Sequence, residues 1–334
     1  MPKYSIILPV RNGGHYLKKC VNSILSQTYT NFDFLILDNC STDDSLAWLL
    51  TLKDNRIKII PSHQSLTIEE SWGRITSIPK NEFITLIGHD DILYPDFLQT
   101  IDDLVIQNPD ASLYHTHFNF IDGGGKIIRP AKQMQTKYTG PEFVAAFLNN
   151  TIDSMGTGYV MRSKDYDALG GIQQKYPNLL FADFELWISL AVKSFAVVAN
   201  KNCFAFRLHQ STTYTSQDKK LHTGLDFFVD FLMKLKNENS AFSGVIEQYG
   251  SQFLLHYCTA YAHRMLRSTL KMRNGLTVDQ LIKQTVAMAD KLSIGDLYVP
   301  QKKSSLQLAK RIDKNIVLRY LFLWFKKIYT KPVL

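Results

Sequence analysis

The first candidates for chemistry are acidic residues that follow short apolar runs. Asp90 and Asp91 come after the run Phe83 to Ile87, separated from it by Gly88 and His89. A carboxylate pair at a strand end can hold a hard divalent cation, Mn²⁺ or Mg²⁺, which prefers carboxylate and phosphate oxygens. The same two acids could equally cap the helix that follows them. Two further polar clusters stand in the same context, Arg11 and Asn12 after Tyr4 to Pro9, and Asp38 and Asn39 after Phe34 to Leu37. His115 and His117 alternate in an apolar stretch and so share one strand face. They either bind a metal or pack as ordinary strand histidines, and packing is the commoner fate.

The elements that must position these groups read as alternating strands and helices. Tyr4 to Pro9, Phe34 to Leu37, Ile57 to Ile60 and Phe83 to Ile87 are short apolar runs expected as strands of a mostly parallel sheet. Leu17, Val21, Ile24 and Leu25 fall at helical spacing, as do Phe97, Leu98, Ile101 and Leu104 after Pro95. Ser112 to Arg129 reads as β structure, with a turn at Asp122 to Gly125. Gly156 to Met161, a helix near Lys164 to Leu169, a helix from Asp183 to Val192 and a strand toward Phe206 complete a first domain over 1–214. Helical periodicity dominates 215–334. In open α/β sheets ligands bind outside the carboxyl ends of the strands, so the three polar clusters are expected to converge there.

Composition sets the outer limits. The 334 residues carry 45% hydrophobic and 20% charged residues, values that support a packed core rather than disorder. Cys20, Cys40, Cys203 and Cys258 are scattered without a CxxC spacing, which suits free thiols in a reducing cytoplasm. The first residues lack the pattern of a signal peptide, and no run approaches the roughly 20 apolar residues that span a bilayer. The reading is therefore a cytoplasmic protein, at most peripheral on the inner face of the membrane. A net charge of +8 permits anionic partners without choosing among them.

Three segments together carry a resemblance. Ser5 to Asn12 (SIILPVRN), Leu35 to Ser45 (LILDNCSTDDS) and Glu82 to Asp96 (EFITLIGHDDILYPD) match in order, spacing and strand context. The chain resembles family 2 glycosyltransferases of the GT-A fold, with an α/β, Rossmann-like sheet flanked by helices and, here, a helical C-terminal region. Phe181 to Trp187 (FADFELW) looks like the family's segment bearing the catalytic base, and Phe206 to His209 (FRLH) like its basic segment over the diphosphate. The sequence departs from the pattern at Asn39, Gly88 and Ala182, each standing where an acid is common.

The resemblance implies an inverting transferase that moves a sugar from a nucleoside-diphosphate donor, a UDP-sugar favoured, to a hydroxyl of a glycan or lipid-linked glycan acceptor. Bacterial surface polysaccharide or lipopolysaccharide synthesis is the expected setting. Asp183 is the implied base and Glu185 its reserve. Pro9, Arg11, Asn12, Asp38, Arg74, His89, Asp90 and Arg207 are implied at the nucleotide-sugar, with Asp38 accepting from the base. Asp90, Asp91 and His209 are implied at Mn²⁺ or Mg²⁺, Asp91 either through water or as a cap.

A nucleotidyltransferase makes similar demands, but Arg11 to Gly14 is only a faint phosphate loop and that reading leaves Asp183 unexplained. A nonenzymatic, basic nucleic-acid- or membrane-binding protein has no use for these acids, and no nucleic-acid motif is present. Residues 302–334 interleave lysine and arginine with aliphatic and aromatic residues at helical spacing. That pattern fits an anionic membrane surface, and fits as well a stripe packed on the catalytic domain or in a homo-oligomer.

Overall fold

The computed structural model describes residues 2–208 and 216–329. The chain divides into two compact units, Met1–Ser211 and Thr212–Leu334.

The first unit opens with β1 (Tyr4–Val10), α1 (Gly14–Leu25), β2 (Phe32–Asp38), α2 (Ser45–Leu49), β3 (Ile57–Ile59), α3 (Ile68–Gly73), β4 (Phe83–Leu86), β5 (Ile92–Leu93) and α4 (Phe97–Gln107). It continues through β6 (Leu113–Ile121), β7 (Ile127–Pro130), β8 (Lys137–Thr139), α5 (Gly140–Leu148), β9 (Val160–Arg162), α6 (Ser163–Ala168), α7 (Ala182–Lys193) and β10 (Phe195–Arg207). Every residue of β1 is buried, Ser5 included, as its largely apolar run requires of a central strand. The α1 helix buries Leu17, Cys20, Val21 and Ile24, one face of a 3.6-residue repeat. In α4 the buried set is Phe97, Leu98, Ile101 and Val105, while Leu104 packs at its margin.

The sheet runs β3-β2-β1-β4-β9-β6-β10-β5. Strands β3, β2, β1 and β4 are mutually parallel, and β6 is parallel to β10. The antiparallel β9 joins the two parts. The expected turn after β6 forms, and β7 returns antiparallel from it. The glycine-rich stretch before β9 is a turn rather than a strand. Gly158 has φ +88°, and a Cβ there would stand 2.3 Å from the Phe204 ring. Gly158→Ala therefore combines a left-handed backbone with an overpacked contact and should cost about 2 to 4 kcal/mol. A Tm within experimental error of the parent would show that the backbone moves aside cheaply.

The second unit contains α8 (Asp218–Glu238), α9 (Ser240–Arg267), α10 (Leu270–Arg273), α11 (Val278–Lys291), α12 (Ser304–Lys314) and α13 (Ile316–Ile328). Cys258, Met265, Val278, Leu281, Leu306 and Ile312 help form its core. Beside that core, Arg273 pairs with the buried Asp313, whose other oxygen accepts from Val278 N at 2.8 Å and so caps α11. Among the described residues, no helix is long and apolar enough to cross a membrane. The four cysteines are free thiols, as expected.

Candidate functional site

The ends of β1 and β2 lie side by side, with Val10 opposite Asp38. Two short loops knit together beyond them. Asn12 adopts a left-handed φ of 52°, its N–H donates to Ser41 Oγ at 3.0 Å, and its Oδ1 accepts from Thr42 N at 2.7 Å. Gly13 N donates to Ser45 Oγ and Gly14 N to Asp43 Oδ2. These amides are committed to the neighbouring loop, so Arg11 to Gly14 is not a phosphate cradle. Pro9 is buried in β1, and Arg11 is exposed just past its end.

Asp38 is fully buried. One carboxylate oxygen accepts from Ser41 N at 3.2 Å, while Oδ1 has no partner among the described residues. A buried acceptor left open is costly unless a ligand satisfies it. Arg74, expected at the nucleotide, donates to Asp38 O at 3.0 Å and Ile60 O at 2.7 Å, and so braces the ends of β2 and β3. Asn39 explains its own departure from an acid, because its amide donates to Leu66 O while its oxygen accepts from Leu66 N. An aspartate could make only the second bond.

Strand β4 delivers Gly88, His89, Asp90 and Asp91. His89 and Asp90 are half-buried, whereas Asp91 is buried with both oxygens engaged. Asp91 Oδ1 accepts from Arg207 N at 2.9 Å, and Oδ2 accepts from Thr157 Oγ1 at 2.5 Å. Thr157 Oγ1 also receives Gly88 N at 3.2 Å. Burial first, and the adjacent Asp90 second, push the Asp91 carboxyl above the usual carboxylate range. Asp91 was expected at the metal; its oxygens are instead spent on the loop's own frame. Gly88 leaves room for Asp90, since a Cβ at position 88 would lie 2.7 Å from Asp90 Oδ1. No group of three or more His, Cys, Asp or Glu side chains able to hold a metal occurs among the described residues. A single half-buried carboxylate does fit the mode in which Mn²⁺ or Mg²⁺ takes one protein oxygen and several from substrate phosphates. His209 lies outside the described residues.

Arg207 was expected to clamp the diphosphate, and most of its guanidinium is used otherwise. Nε donates to Asp90 O at 2.7 Å, one terminal nitrogen reaches Asp122 O at 2.8 Å, and the group stacks over Tyr16 at 4.6 Å. Its other terminal nitrogen is buried without a partner among the described residues.

Asp183 occupies the first turn of α7. The chain enters that helix through Asn178, Leu179 and Phe181, all at positive φ, with Phe181 at 74°. Such conformations are costly for bulky residues and cluster where surrounding structure enforces a geometry. Asp183 keeps part of its surface open, yet it lies deep within the protein mass, and burial pushes its carboxyl up to about 7 against the pull of the Phe184 N–H at 3.0 Å. Behind it His115 stacks on Tyr159 at 3.8 Å, and Tyr159 on Trp187 at 4.5 Å. His115 Nδ1 meets Gly158 O at 2.9 Å, and burial drives the ring down to about 3, so it stays neutral. His117 Nε2 accepts from Met134 N at 2.9 Å. The two histidines therefore pack and do not share a metal. Glu185 is tied to Lys175 and Tyr176 and is not available as a base.

The model for glycosyl transferase family 2 matches residues 5–170, which span β1 through α6. The chain belongs to glycosyltransferase family 2. Of the curated relatives of this family 2 glycosyltransferase, GlyG of Streptococcus pneumoniae is 28% identical over 37% of this chain and 42% of its own length, so the match spans less than half of that protein. The relative named UDP-Glc:alpha-D-GlcNAc-diphosphoundecaprenol beta-1,3-glucosyltransferase WfgD, from Escherichia coli, is 24% identical over 68% of this chain and 86% of its length. The crystal structure of S. aureus TarS 1-349 with UDP-GlcNAc superposes with a TM-score of 0.67 at 13% identity, covering 96% of this chain and 92% of that one, a likeness of fold. Within the transferase, the residue missed by sequence reasoning is Thr157. The small-residue run Gly156-Thr157-Gly158 ahead of β9 was the available signal.

Proposed function

We propose that the chain is an inverting glycosyltransferase that moves a sugar from a UDP-sugar to a hydroxyl of a lipid-linked glycan in bacterial surface polysaccharide synthesis. The observation that carries the mechanism is Asp183, a partly open carboxylate in the first turn of α7, which burial pushes up to about 7. Inversion needs one base, because the acceptor hydroxyl attacks the anomeric carbon in line and loses its proton as the bond forms. The acceptor proton passes to Asp183 while the bond to the diphosphate breaks, through an oxocarbenium-like state. Asp38 Oδ1 accepts from the ring N–H of the uracil. Asp90 would hold Mn²⁺ or Mg²⁺, which offsets charge on the departing diphosphate when bound. The nitrogen of Arg207 that has no partner among the described residues, on the guanidinium that reaches the Asp90 backbone, suits a phosphate oxygen. The acceptor class rests on the name of the WfgD relative.

Incubation with UDP-sugars, Mn²⁺ and a synthetic lipid-diphosphate-GlcNAc acceptor tests the reading. A β-linked product from an α-configured donor is expected by NMR. An α-linked product, or no UDP release with any such pair, would overturn it. Asp38→Ala should weaken UDP binding by about tenfold or more, the value of a hydrogen bond to a charged acceptor. Unchanged affinity by calorimetry would remove Asp38 from the base site.

A further inference from the structure

The last helix, α13, is mounted with its apolar side outward. Val317, Tyr320, Leu321, Trp324, Phe325 and Ile328 recur at the spacing of one helical face, and each is at least half exposed. No residue of the helix is buried. The side turned toward its own unit carries Arg319, which donates to Ser268 O at 2.5 Å, Phe322 against the core, and the half-buried Lys326. An amphipathic helix normally docks the other way round, so the exposed face calls for an apolar environment that this unit does not supply.

We propose that this face of α13 docks on an anionic lipid surface. The choice of occupant follows from charge. Residues 302–329 hold eight lysines and arginines against one acid, Asp313. That acid is buried in its pair with Arg273 and offers nothing to a partner. A second copy seated on the same face would oppose cation to cation with no acid between them, which is destabilising. A bilayer with anionic headgroups matches both features. The aliphatic residues enter the acyl boundary, Trp324 and Tyr320 sit at headgroup level, and the exposed Lys327 meets the phosphates. The inference is independent of the transfer reaction, because it is measured without donor or acceptor.

The test is cosedimentation of the full chain with vesicles of phosphatidylglycerol and phosphatidylcholine, and with vesicles of phosphatidylcholine alone. Truncation is unsuitable, because Leu306, Ala309 and Ile312 of the preceding helix belong to the core. Binding is expected to the anionic vesicles only, with a loss of about tenfold or more near ~0.5 M salt, where exposed charges are screened. The variant L321S/W324S/F325S alters only exposed positions and should lose binding by about tenfold or more while its circular dichroism is unchanged. A charge-reversal variant at the exposed lysine, K327E, gives a second reading should the first misfold. No binding to anionic vesicles at low salt, equal binding to neutral ones, or intact binding in both variants would overturn the proposal. So would a wild-type dimer in sedimentation equilibrium that the triple variant dissolves, which would assign the face to a second copy.

Discussion

Asp183→Asn is expected to lower kcat by about 10² to 10⁴-fold, the usual worth of a general base, while leaving the Kd for UDP unchanged. The swap is nearly isosteric, and Asn can still accept from the Phe184 N–H, so α7 keeps its start. The pH profile separates a base from a structural acid. In the folded chain the carboxyl titrates at about 7, against about 4 when unfolded. The protonated form is thus favoured by folding, and the group's contribution to stability is present below about pH 4 and is lost as pH rises toward 7. Catalysis follows the opposite trend, since only the ionised form removes a proton. The kcat profile should therefore climb to a plateau above about pH 7, and the residual activity of the Asn variant should lack that limb. A variant that keeps wild-type kcat but loses UDP affinity would move Asp183 to the donor site.

Asp90→Ala should abolish divalent-cation dependence and reduce turnover by about 10²-fold or more, the scale on which preorganised charge stabilisation acts. Asp90 is half-buried at a loop, and the backbone carbonyl that receives Arg207 Nε survives the substitution. Folding should be little changed, as judged by Tm. Asp91→Ala provides the contrast, because it removes the acceptor of both Thr157 and the Arg207 N–H and should lower Tm as well as activity. Equal Mn²⁺ titration curves for wild type and Asp90→Ala would refute the assignment.

Much of the first unit was legible because its first strands are largely apolar runs and polar residues follow them directly, as at Val10 to Asn12 and Leu37 to Asp38. Helix α1 was legible for a similar reason, since its period is local. The functions of Asp91, Arg74 and Arg207 were not, because each is decided by a partner far along the chain. Asp91 meets Thr157 and Arg207, and Arg74 meets the carbonyls of Asp38 and Ile60. Sequence motifs name residue types at strand ends but do not say whether a carboxylate's lone pairs face a ligand or the protein's own donors. Asn39 shows the same limit, as its pair of hydrogen bonds with Leu66 gives the amide a purpose that local context could not reveal. The outward mounting of α13 was equally hidden. A periodic apolar stripe states that a face exists, and only packing states which way it points.

Gly156 and Thr157 are adjacent in the chain, yet they serve different acids. The Cα of Gly156 borders Asp183, with a Cβ there lying 3.7 Å from Oδ2, while the Thr157 hydroxyl holds Asp91 and the amide of Gly88. Consecutive Cα atoms across a trans peptide are separated by a fixed ~3.8 Å. The walls beside Asp183 and Asp91 are therefore gauged against one another by a covalent bond. Thermal breathing of the sheet can displace both together more readily than it can change the interval between them.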